Sequence, residues 1–131
     1  MRKNFILVFL LTILLASGGL SFAGNSSDTG YSFYFTADRT IISTEKRAKQ
    51  DKTSSYVKVN SGKNLSNGIN MKMVGGNYQD VGSSVKTFYA PGSAKIPQYT
   101  KEWNINDTRL QGRRIINTYM TVFGLWSPDS V

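Results

Sequence analysis

In several separate stretches of this 131-residue chain, apolar or aromatic side chains recur at every second position. The cleanest case is Ile69-Asn70-Met71-Lys72-Met73, three apolar residues against two polar ones. Tyr31-Ser32-Phe33-Tyr34-Phe35-Thr36 puts Tyr31, Phe33 and Phe35 on one face, and Ser54 to Asn60 does the same with Val57 and Val59. Successive side chains of a strand point to opposite faces, so period two marks half-buried strands and rules against amphipathic helices.

The rest of the chain from Gly24 onward divides around these strands. Residues 24–30 are small and polar and are expected to be disordered. Arg39 to Ile42 either prolongs the first strand or begins another, and the polar run Ser43 to Lys52 is expected to form a solvated loop or edge. Asn60-Ser61-Gly62-Lys63-Asn64 has turn chemistry, because Gly and Asn tolerate positive φ. Ser84 to Ala90 is a strand with Val85, Thr87 and Tyr89 opposite Lys86 and Phe88, broken by Pro91-Gly92. Pro97 makes Lys95 to Trp103 an extended edge or loop. Arg113 to Trp126 is expected to be the longest strand, apolar on both faces and central in its sheet. The sum is an all-β chain: a small antiparallel β-sandwich or barrel of about six or seven strands, one domain over 31–131, preceded by a cleaved signal helix. Tyr31, Phe33, Phe35, Val57, Val59, Ile69, Met71 and Met73 would supply much of its core.

The signal is expected in residues 1–23. Arg2 and Lys3 precede an apolar run from Phe5 to Ala16, and Ser17-Gly18-Gly19 breaks it. Ser21-Phe22-Ala23 then offers small residues for signal peptidase to cut between Ala23 and Gly24. Cleavage would leave 108 residues, and loss of Arg2 and Lys3 lowers the formal charge from +8 to +6. Such a chain would work secreted or loosely associated with the cell surface. Small secreted domains often rely on disulfides, and this chain has no cysteine, a pattern that fits a Gram-positive exporter.

Histidine is absent as well. Together the two absences remove Ser-His-Asp and Cys-His nucleophilic machinery and zinc or haem sites built on those side chains. Eight carboxylates include Glu45 and Glu102, and nothing in their sequence context points to hydrolysis. The reading is a chain with no cofactor, no metal and no catalysis. Lys46, Arg47, Lys49 and Lys52 cluster in one segment and Arg109, Arg113 and Arg114 in another. Brought together they would meet an anionic cell-wall polymer or membrane surface, with no nucleic-acid partner expected outside the cell. Among the aromatics Tyr56, Tyr78, Tyr89, Tyr99, Trp103 and Trp126, most are expected in the core. Trp103, preceded by Lys101 and Glu102, is the candidate for exposure. Met71, Met73 and Met120 read as core.

Three stretches also carry a resemblance: Tyr31 to Phe35, Arg47 to Lys58, and the ending Gly124-Leu125-Trp126-Ser127-Pro128-Asp129-Ser130. They are similar to an uncharacterised family of small exported Gram-positive proteins whose mature domains start with an aromatic strand and end in W-S-P-D-S. That resemblance implies export and names no catalytic residue. In size and strand content the chain also resembles secreted lactococcin-type β-sandwich bacteriocins, which would imply an antibacterial role. The expected function is binding without catalysis at the anionic cell envelope, through Lys46, Arg47, Lys49, Lys52, Arg113 and Arg114.

Overall fold

A computed structural model describes residues 25–131. The expected signal peptide and the expected cut between Ala23 and Gly24 lie outside the described residues. Nine strands follow in order: β1 (Thr29–Phe35), β2 (Ile41–Ser43), β3 (Arg47–Ala48), β4 (Ser55–Ser61), β5 (Ile69–Gly75), β6 (Lys86–Phe88), β7 (Gly92–Ile96), β8 (Asp107–Arg114) and β9 (Met120–Ser127). They form two antiparallel sheets, one in the order β1-β9-β4-β7 and one in the order β2-β8-β5-β6, with β3 also paired to β8. The chain is an all-β sandwich.

Alternation decides the core. Tyr31, Phe33 and Phe35 of β1, Val57 and Val59 of β4, and Ile69, Met71 and Met73 of β5 are all buried between the sheets. Leu110 of β8 and Met120, Val122 and Trp126 of β9 complete the layer. The sheets approach closely where small residues allow it. The Phe33 ring lies on Gly112 of the facing sheet, with ring carbons 2.8 and 2.9 Å from where a Cβ would project. Burial pushes the Tyr31 hydroxyl above its ordinary pKa, and this hydroxyl donates to the Lys58 carbonyl at 2.9 Å.

Several expectations need correction. Arg113 to Trp126 is two strands, because residues 115–119 turn the chain from one sheet to the other. Ile115 and Ile116 therefore sit on that turn, 45 % and 52 % exposed. Pro91-Gly92 separates β6 from β7, and the residues from Gly92 to Ile96 form a strand of their own against β4. In β6 the inward residue is Phe88, so the apolar face is the opposite of the one expected. The polar run at 43–52 contributes β3, since Arg47 and Ala48 pair with Thr108 and Asp107. Residues 25–30 are engaged: the Asn25 amide donates to Asp129 at 2.6 Å, and β1 begins at Thr29.

The antiparallel register gives the sandwich two distinct ends. The loops 36–40, 62–68, 89–91 and 115–119 gather at one end, here termed the crown. The connections 44–54, 76–85 and 97–106 gather at the other, the base, with both ends of the described chain.

Candidate anionic-ligand surface

The six basic residues singled out from the sequence do not converge. Lys49 is buried at the base, where its ammonium pairs with Asp129 and donates to the carbonyls of Asp51 and Thr53, each at 2.7 Å. Arg114 is buried at the crown and donates to the carbonyls of Ile116 and Ala37, each at 3.0 Å. Neither can meet a ligand, so both assignments as surface contacts are corrected. The reason is the same in both: a charged group leaves water only where partners replace its hydration. Here each has one partner remote in the chain, Asp129 for Lys49 and Ala37 for Arg114, beside carbonyls two to four residues away.

Arg47 is half-buried and committed as well. Its guanidinium lies 5.4 Å from the centre of the Trp126 ring and donates to the Trp126 carbonyl at 3.1 Å, to Asn25 at 2.8 Å and to Ser27 at 3.0 Å. Burial lowers its pKa, opposed by the charges of Asp28 and Asp129. Lys46 is exposed but lies 3.6 Å from the Asp107 carboxylate. Lys52 is exposed at the base and Arg113 is exposed near the crown, at the far end of β8.

Charge is sorted along the sandwich. Six of the eight carboxylates lie in the connections and chain ends of the base and Asp107 at the base end of β8, against five of the fourteen described cations in the base. The strands and crown hold the other nine cations. A strand of this length spans ~25 Å, about three Debye lengths at physiological salt. The carboxylates of the base therefore do not cancel the positive field of the crown and sheet faces.

On the outer face of the five-stranded sheet that field meets a row of polar and basic side chains from adjoining strands. The register sets Asn70 directly opposite Arg113 and Lys72 opposite Gln111. With Val85 they line a shallow groove of about 190 Å³. Among the described residues neither Lys72 nor Arg113 makes an ion pair. The Thr87 hydroxyl donates to Asn70 at 2.6 Å, and the Gln111 amide donates to the Ser43 hydroxyl at 3.3 Å. Farther along β8, Arg109 is held by the carbonyls of Gly76 and Thr44 at 2.8 and 3.0 Å, and lies 4.6 Å from the Tyr78 ring centre. Sequence reasoning missed Lys72, Asn70 and Gln111. The alternation placed the first two on the polar face of their strand, but only the β5–β8 register brings them to Arg113.

Of the aromatics, Trp126 is buried and Tyr56 is half-buried. Tyr78, Tyr89 and Tyr99 are 60 %, 59 % and 52 % exposed, against the expectation that they pack in the core. All three lie outside the strands. Trp103 is 52 % exposed and stacks on Tyr99, ring centres 5.6 Å apart. Glu45 and Glu102 are exposed. Among the described residues no cluster of three or more His, Cys, Asp or Glu could hold a metal ion, and no helix is long and apolar enough to cross a membrane.

The stretches that carried the resemblance meet at one side of the base. β1 pairs with β9, Arg47 lies over Trp126, Lys49 holds Asp129, and the Ser55 hydroxyl donates to the Pro128 carbonyl at 2.7 Å. Those stretches are thus framework, and the groove lies elsewhere. The molecule is a two-sheet β-domain with its charge segregated end from end. It belongs to DUF2712, a family described as "Protein of unknown function", whose model matches residues 19–130. No curated protein and no solved structure matches the chain.

Proposed function

We propose that this chain is an exported domain that binds an anionic polymer of the cell envelope, of the teichoic-acid type, and catalyses nothing. The ligand lies along the outer face of the five-stranded sheet, with Lys72 and Arg113 facing its phosphates and Asn70 and Gln111 its hydroxyls. The segregation of charge carries this reading, because it leaves a long positive face that the base does not neutralise. Residues 1–23, read as a signal peptide, agree with a site of action outside the membrane.

The test is co-sedimentation of residues 24–131 with Gram-positive walls, with and without teichoic acid, across a salt series. Retention should need the polymer and fall with salt. Each cation facing an anionic surface contributes about 1 kcal/mol, so Lys72→Gln with Arg113→Gln should weaken binding ~30-fold. Lys52→Gln at the base should leave it unchanged. Salt-independent retention, or equal effects from the sheet-face and base substitutions, would overturn the proposal.

A further inference from the structure

The crown carries a second surface that polymer binding does not explain. At the β8–β9 turn Ile115, Ile116 and Tyr119 are 45 %, 52 % and 69 % exposed. Tyr89 joins them from the β6–β7 turn, since Tyr89 and Ile115 close together over Gly68, both within 3.0 Å of where its Cβ would project. On the other side Tyr34, 55 % exposed, and Tyr119 line one open, largely apolar hollow of about 340 Å³ with Lys63 at its edge.

Single exposed apolar residues need no explanation, but a cluster drawn from separate loops onto one end does. The turn is also held firmly. The buried Arg114 guanidinium donates to the Ile116 and Ala37 carbonyls, and the Asn64 side-chain amide donates to the Tyr119 carbonyl at 2.8 Å. An apolar tip presented on a braced turn costs little ordering when it enters another phase.

We infer that the crown is a membrane-docking tip that seats the protein on an anionic lipid bilayer. Charge selects this occupant. Arg39 and Lys63 lie in the loops of that end, and Asp38 is the one carboxylate there. Cations at headgroup level with tyrosine and isoleucine just below them match the polar-to-apolar gradient of a bilayer interface. The opposite end bears the carboxylates and would face away from the membrane. The docking surface uses residues other than those of the sheet-face groove, so either can fail without the other.

The experiment measures association of residues 24–131 with phosphatidylcholine vesicles and with vesicles containing phosphatidylglycerol. A Tyr119→Trp reporter, in a Trp103→Phe background, follows insertion. The anionic vesicles should be bound with a blue shift of the reporter. Ile115→Ser with Ile116→Ser should weaken that binding ~tenfold or more while leaving the melting curve and retention on cell walls unchanged. Ile116→Ser alone, at the more exposed of the two positions, should give a smaller loss in the same direction. No association with either vesicle overturns the inference, as does equal binding to neutral vesicles. Binding that survives the isoleucine changes but disappears with Lys72→Gln and Arg113→Gln also overturns it, and assigns the headgroups to the sheet face.

Discussion

Removing the carboxylate of Asp129 should damage this fold more than removing the ammonium of Lys49, although the two form one buried pair. The asymmetry follows from what each leaves behind. Without Lys49, the Asp129 carboxylate still accepts from the backbone amides of Asn25, Gln50 and Asp51 at 2.6, 3.1 and 3.4 Å. Without the carboxylate, the ammonium keeps only the Asp51 and Thr53 carbonyls, together with the partly exposed Asp51 carboxylate 3.6 Å away. Leaving a buried charge uncompensated costs ~3–5 kcal/mol, whereas losing one charged hydrogen bond costs ~2 kcal/mol. For a domain of this size each kcal/mol lowers Tm by about 4 °C. Asp129→Asn should therefore melt ~12–20 °C below the parent protein and Lys49→Met ~8 °C below it. The assay is thermal unfolding followed by circular dichroism near neutral pH, with the double variant closing the cycle. The double variant should be more stable than Asp129→Asn alone, since adding Lys49→Met takes away the ammonium that would otherwise be buried without its carboxylate. An Asp129→Asn protein that melts within ~3 °C of the parent, or a Lys49→Met protein that is the less stable of the two, would refute the reasoning.

Gly124→Ala should cost ~3 kcal/mol, because a Cβ there would strike the Lys58 backbone carbonyl and lie 2.6 Å from the Tyr31 hydroxyl oxygen; an unchanged Tm would refute the close approach of β4, β9 and Tyr31. Asp51 tests acid stability. Partial burial would raise its pKa, but hydrogen bonds from the Thr53 hydroxyl and amide, with the positive charge of Lys49, hold it below the ordinary carboxylate value. A depressed pKa contributes stability above the unfolded value of ~3.9 that is lost as pH falls through the folded one. The deficit of Asp51→Asn against the parent should thus be clear at about pH 6 and shrink at about pH 2.5; a deficit equal at both would sink this account.

What could be read from the sequence was periodicity. Phe33, Val57 and Met71 lie inside because their strands alternate, and an alternating strand of five residues or more states its own faces. Ile115-Ile116 misled for the same reason. Two adjacent apolar residues leading into Tyr119 continue an apolar run, and the turn they occupy holds neither Gly nor Pro to mark it. Burial of charge was illegible for a different cause. Lys49 looks like any solvated lysine until Asp129, eighty positions away, is folded onto it. Nor does Lys72 reveal its neighbour Gln111 without the β5–β8 register. Such pairings are properties of topology, and one strand's pattern does not encode them.

The same distinction explains why the most conspicuous basic segment is the wrong place to seek a ligand. Lys46, Arg47 and Lys49 are drawn to Asp107, the Trp126 face and Asp129, so their charge is spent holding the base together. The base also gathers both ends of the described chain, with Asn25 and Asp129 joined by hydrogen bonds in both directions. Cations scattered singly through the sequence, Lys63, Lys72 and Arg113, have no such partners among the described residues and project from the strands and crown. A dense charge run in a small cysteine-free domain can thus serve as a clasp. Charges spaced by strand geometry are then the ones left to act at a distance, across ~25 Å of sandwich that screening keeps independent of the acidic end.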